Sequence, residues 1–125
     1  MTRVIVRKGT TKEFFERAKE AARLADEGRP LKGTLTLSFE NPERMFSVLS
    51  TARRKLMTRI MEKPMSVSEL SRTLRRDRAA VAKDVKLLQD TGLVLAQRQR
   101  NPGHGVQTVV SAVAERIDLV ATLPG

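Results

Sequence analysis

SVSELSRTLRRDRAAVAKDVKLLQDTG, residues 66–92, decides the fold of this chain. Ser66 and Glu69 have the S-x-x-E spacing of a capping box, in which each side chain bonds the other residue's backbone N–H. Val67, Leu70 and Leu74 then fall on one face of a short helix that ends near Leu74. Asp77 is placed to cap a second helix over 78–91, where Val81, Val85 and Leu88 recur at i, i+4 and i+7. Gly92 suits the position just past its end. Only Arg75, Arg76 and Asp77 join the two helices, which is the signature of a helix-turn-helix.

Downstream, LVLAQRQ (93–99) and VQTVVSAV (106–113) read as two strands around the turn sequence NPGHG (101–105). RIDLVATL (116–123) alternates loosely, as a last strand would. Upstream, a helix runs from Ser50-Thr51 to about Glu62 with Leu56, Met57 and Ile60 inward, and Pro64 closes it. Asn41-Pro42-Glu43 starts a further helix whose apolar stripe is Met45, Phe46 and Leu49. TLTLSF (34–39) alternates cleanly and puts Leu35, Leu37 and Phe39 on one face of a strand. RVIVR (3–7) reads as another strand, and a helix from Thr10 or Thr11 to 27, with Phe14, Phe15, Ala18 and Ala22 near helical spacing, lies between them. The expected class is therefore α+β. A strand-helix-strand extension over 1–40 precedes a winged helix-turn-helix domain over 41–125.

The chain has 125 residues and a net charge of +10. Segment 51–104 alone carries thirteen Lys/Arg against five Asp/Glu, a net of +8. An excess of that size centred on a helix-turn-helix points to an anionic partner, and double-stranded DNA fits best. There is no cysteine, so thiolate metal sites are excluded, and the single histidine lies in a turn sequence, so neither a structural zinc nor a Ser-His-Asp triad nor any cofactor is expected. No G-x-G-x-x-G, phosphate loop or paired carboxylates support an enzyme. The absence of cysteine, of a leader at MTRVIVRKG and of a long apolar run suits the cytoplasm and no membrane.

The second helix of the motif explains its own composition. A recognition helix enters a major groove about 12 Å wide, and its first residues reach base edges. Small side chains there permit close approach, and cations around them meet phosphates. With Val81, Val85 and Leu88 inward, Ala79, Ala82, Lys83 and Lys86 lie outward and Arg78 stands at the start. Arg78 and Lys83 are the candidate base or flanking-phosphate contacts, and Ala79 and Ala82 the apolar ones. Arg75, Arg76 and Lys86 are the candidate phosphate contacts, and Ser66 joins them at the start of the preceding helix. Arg98, Arg100 and His104 stand near the hairpin tip, where a wing follows a phosphate strand or the minor groove. The plainer alternatives are a solvated basic helix face and a surface hairpin kept soluble by charge.

PMSVSELSRTLRRDRAAVAKDVKLLQDTGLV (64–94) resembles the MarR-type and related winged-helix regulators of bacteria and archaea. LSFENPERMFSVLS, VAKDVKLLQDTGLV and the preceding strand-helix are similar to a small MarR-like group often paired with a toxin as its antitoxin. The likeness covers about residues 34–120. It implies homodimeric DNA binding through Arg78, Ala79, Lys83 and 98–104, and a small toxin as a further partner. Two rival readings stay open. RNA binding lacks exposed aromatic platforms, since there is no Trp or Tyr and the four Phe are assigned to core. A protein-interaction module would use residues 1–30 as a toxin or dimer surface.

Overall fold

The computed structural model describes residues 2–6, 33–103 and 105–123. The helix expected over 10–27, with Phe14 and Phe15, and the hairpin-tip His104 lie outside the described residues. In chain order the elements are β1 (Thr2–Val6), β2 (Thr34–Phe39), α1 (Pro42–Val48), α2 (Thr51–Glu62), β3 (Met65–Ser66), α3 (Val67–Leu74), α4 (Arg78–Asp90), β4 (Val94–Asn101), β5 (Gly105–Ala112) and β6 (Arg116–Ala121). The class is α+β, and α2, α3, α4, β4 and β5 form a winged helix-turn-helix.

Local chemistry sets most boundaries. Asn41 caps α1, its Oδ1 accepting from the Arg44 N–H at 2.8 Å, and Pro42 stands in the first turn. Ser50 caps α2 through the Arg53 N–H at 3.3 Å. Ser66 Oγ accepts from the Glu69 N–H at 3.0 Å while the Ser66 N–H donates to Glu69 Oε1 at 3.4 Å, so the capping box forms. At Asp77 the expectation is corrected. It occupies the position before α4 but makes no side-chain capping bond. The three caps that form have ψ between 159° and 166°, whereas Asp77 has ψ 138°. At the other end of α4, Gly92 adopts φ 78°, and the Leu93 N–H reaches the Leu88 carbonyl at 2.9 Å.

Two sheets flank the helices. In one, β2 is central and both neighbours are parallel: Val4 pairs with Leu37 on one side and Leu119 with Leu37 on the other. In the other, β5 is central between β3 and β4, both antiparallel. The two-residue β3 has no periodicity to betray it in sequence. It pairs Met65 with Val110 and Ser66 with Val109, so the start of α3 is hydrogen-bonded to the root of the wing.

The core is continuous across both sheets. Leu35, Leu37 and Phe39 of β2 join Leu56, Leu70, Val81, Leu88, Val94 and Val110 in one buried cluster. The N-terminal extension, as far as it is described, is thus joined to the winged-helix unit through shared packing and through β6. One assignment changes. Phe46 is 54% exposed, and α1 buries no residue of its own. Met45 and Val48 of α1 pack partly buried against the core, and Leu49, one residue past its end, is the buried anchor. The Arg54 guanidinium covers the Phe46 ring at 5.2 Å from its centroid.

Leu70 is wholly buried. Leu70→Ala should lower unfolding free energy by about 2–5 kcal/mol, and Ser66→Ala, which removes the cap, by about 1 kcal/mol. Urea denaturation followed by circular dichroism checks both. A Ser66→Ala loss as large as the Leu70→Ala loss would show that Ser66 does more than cap.

Candidate nucleic-acid interface

α4 is held from its inner side. Val81, Val85 and Leu88 are buried on one stripe, and Asp84 lies beside them at 7% exposure. A buried carboxylate demands partners. Asp84 Oδ1 accepts from Arg53 Nε of α2 at 3.1 Å, and Oδ2 accepts from Arg76 Nη1 of the inter-helix turn at 2.7 Å. Arg53 Nη1 also donates to the Ser47 and Val48 carbonyls at 2.9 and 3.2 Å. The turn is braced in turn by Ser71, whose Oγ donates to the Arg76 carbonyl at 2.6 Å and whose own carbonyl accepts from the Arg76 N–H at 3.0 Å.

Burying that side leaves the opposite face open. Arg78, Ala79, Ala82, Lys83 and Lys86 are all exposed. Arg78, Ala79 and Ala82 line an open groove of about 930 Å³ together with the start of α3 and the wing residues Asn101, Gln107 and Thr108. β3 sets its width, because its pairing with β5 fixes the wing relative to α3. Lys83, Lys86 and Arg75 are exposed outside the groove lining.

Two of the expected contacts are drawn inward. Arg76 is engaged with Asp84, its side chain 28% exposed. Ser66 touches the groove, yet it is 2% exposed and its hydroxyl is occupied as the cap of α3. Arg98 and Arg100 are exposed on β4, paired across the ladder with Thr108 and Val106. Strand alternation puts these four on the ladder face that begins with Val94, Ala96 and Val110 in the core. The wing thus presents one face that passes from apolar at its root to basic and polar toward its tip.

Sequence reasoning missed Arg72, Val106, Gln107 and Thr108 as groove residues, while Asn101 lay within the 98–104 stretch expected to make contacts. Gln107 stood in the strand expected after the wing turn, but the register that brings it to the groove is set by pairing over a distance. Val106 is 57% exposed at the tip, an apolar residue with no core to serve. Arg72 is exposed on α3, and its place is decided by the angle between α3 and α4.

Arg75 is the one non-glycine residue among those described with positive φ, at 53°. It closes α3 in the left-handed region, where its N–H donates to the Arg72 carbonyl at 3.3 Å. Glycine takes that conformation without the steric penalty an L side chain meets. An arginine there retains charge at the mouth of the helix-turn-helix against the backbone's preference.

The profile of the HVO_A0114 family matches residues 48–119, more than half of the chain, and the chain belongs to that family. No curated protein matches it. Among solved structures, a possible transcriptional regulator from Methanosarcina mazei Go1 is similar at 19% identity and a TM-score of 0.48, over 56% of this chain and 62% of that one. Rv0081 from M. tuberculosis is similar at 23% identity and a TM-score of 0.49, over 58% of this chain and 69% of its own. Reduced HlyU from Vibrio cholerae N16961 is similar at 17% identity and a TM-score of 0.47, over 55% and 68%. The match spans less than two thirds of the length of the first of these.

Arg75→Gly should raise the unfolding free energy, by about 0.5–1 kcal/mol, while weakening binding to any DNA duplex. Thermal melts and fluorescence anisotropy on the same preparation check the pair of effects. A more stable variant with undiminished affinity removes Arg75 from the interface.

Proposed function

We propose that this member of the HVO_A0114 family is a sequence-specific, non-enzymatic DNA-binding regulator of transcription, acting in the cytoplasm. The observation that carries the reading is the groove between the thin first turn of α4 and the wing, lined by exposed Arg72 of α3 and Arg78 of α4. An α-helix lies in a major groove when its outward residues are small near its start and cationic around them. Arg78, Ala79 and Ala82 meet that description, and Arg72, Arg75, Lys83, Lys86, Arg98 and Arg100 supply charge for the phosphates on either side.

In this reading the protein is a repressor. Two copies present two α4 helices to half-sites about one helical turn (~34 Å) apart, so the promoter site is pseudo-palindromic. Occupying it excludes transcription. The assignment to repressors rests on the resemblance of 64–94 to MarR-type regulators. The antitoxin role rests on that sequence likeness alone, and co-purification with the product of a neighbouring small reading frame tests it. Among the described residues no helix is long and apolar enough to cross a membrane.

Fluorescence anisotropy at two salt concentrations, with the DNA upstream of its own gene, a scrambled duplex and a matched RNA, tests the function. The upstream DNA should bind at least about 10³-fold more tightly than the scrambled duplex, with strong salt dependence in both. Equal, weak binding of all three overturns the regulator reading, and preference for the RNA replaces it with the RNA-binding alternative.

Within the site the roles separate by substitution. Lys86→Ala should weaken binding to all sequences alike and reduce the salt slope by about 1. Arg78→Ala and Lys83→Ala should also lower discrimination, by about 1–3 kcal/mol at the base each one reads. Identical behaviour of all three variants removes the base-reading assignment.

A further inference from the structure

Asp84 is the feature of α4 that the DNA-facing chemistry does not use. It lies on the recognition helix, it is buried, and it gathers two arginines, one of which, Arg76, was expected on the basic face. Replacing a buried ion cluster by apolar residues of similar volume is often neutral or stabilising, so such a cluster is weak grounds for a purely stabilising role. What it supplies is direction. An apolar contact tolerates sliding and rotation, whereas a carboxylate held at both oxygens fixes one orientation.

The geometry points to Asp84 as the positioning residue of the recognition helix, acting through Arg53 and Arg76 to set how far α4 is rotated about its axis and so which side chains face the DNA. This rests on the DNA-binding reading above. Its two arms come from separate elements. Arg53 stands near the start of α2 and holds the last carbonyls of α1 as well. Arg76 stands in the turn and is itself bonded at backbone N–H and carbonyl to Ser71 of α3. The carboxylate thereby references α4 to both other helices of the motif. At 3.6 residues per turn, positions 82 and 84 point about 200° apart round the helix. A rotation released at Asp84 therefore moves Ala82, and with it Arg78 and Ala79, across the groove mouth. No capping bond from Asp77 resists that motion.

The same geometry reassigns Arg76. Its guanidinium is engaged with the buried carboxylate at 2.7 Å, so its part in recognition is exerted through Asp84 instead of through a phosphate. The two roles have different signatures. A phosphate contact contributes uniformly to every sequence and to the salt slope, by about 0.9 per contact. A positioning contact contributes to discrimination and leaves the slope alone.

The test uses the full chain and the duplex that the wild type enriches from a random library, beside a scrambled duplex, across a salt series. Arg76→Ala is the first variant, because it leaves Asp84 paired with Arg53 and the buried charge answered. Asp84→Leu is the second, and thermal midpoints are recorded for both. The expected result for Arg76→Ala is a discrimination ratio at least tenfold lower, with the salt slope and the scrambled-duplex affinity unchanged. Asp84→Leu should lose discrimination to the same degree while still binding DNA. An Arg76→Ala protein that keeps its ratio and loses about 0.9 per site from its slope overturns the inference and makes Arg76 a phosphate contact. A lowered midpoint with ratio and slope both intact overturns it in favour of a structural role. A wild type that enriches no sequence overturns the DNA-binding reading itself, an outcome distinct from the other two.

Discussion

The constraint on which the rest depends is that one side of α4 is buried together with a charge. Val81, Val85 and Leu88 pull the helix into the core, and Asp84 goes in with them. Removing a carboxylate from water costs several kcal/mol unless it is hydrogen-bonded to opposite charge. Arg53 and Arg76 therefore have to be where they are, and α2 and the inter-helix turn with them. The open face of α4 follows as a consequence. Every residue it presents is presented because its opposite number is inside.

The wing is positioned by a second device of the same economy. Ser66 closes β3 and caps α3, so one residue ends a strand, starts a helix and joins the helix-turn-helix to the sheet of the wing. The groove between helix and wing is consequently a product of backbone pairing at Met65–Val110 and Ser66–Val109, with side chains only furnishing its walls. Rigid elements behind a site hold functional side chains more closely than loops do. That suits a surface whose task is to match a duplex of fixed shape. The third group of contacts, the parallel sheet of β1, β2 and β6, lies behind the helices and closes the core with Leu35, Leu37 and Phe39.

Charge is distributed with the same division of labour. The exposed cations of the motif, Arg72, Arg75, Arg78, Lys83 and Lys86, surround small residues, while Arg53 and Arg76 are withdrawn to answer Asp84. A count of basic residues along the chain treats these seven as equivalent. Their roles differ because a guanidinium beside a buried carboxylate is a structural ligand, and one in solvent is available to a phosphate. At the remote edge of β6, Arg116 Nε donates to Asp118 Oδ1 at 2.9 Å, and this hydrogen bond, with the charge attraction, raises the already high pKa of the guanidinium.

Periodicity and caps made the helix-turn-helix, both wing strands, the β2 face and the starts of α1, α2 and α3 legible from the residues alone. Those signals are local, carried by spacing within one element and by side chains bonding the backbone three residues away. The outward residues of α4 were legible for the same reason, since Val81, Val85 and Leu88 dictate where Ala79 and Lys83 must point. What the tertiary structure decided was everything that depends on contact at a distance. The absence of a capping bond from Asp77, the exposure of Phe46, the pairing of β3, the parallel placement of β6 beside β2 and the wing residues that face the groove are of this kind. Arg76 is the sharpest instance. In sequence it is one arginine among three, and its partner Asp84 is eight residues away, too far for helical spacing to announce the pair. Only when the core fixes α4 against α2 does that carboxylate become buried, and only then does Arg76 have a reason to turn inward.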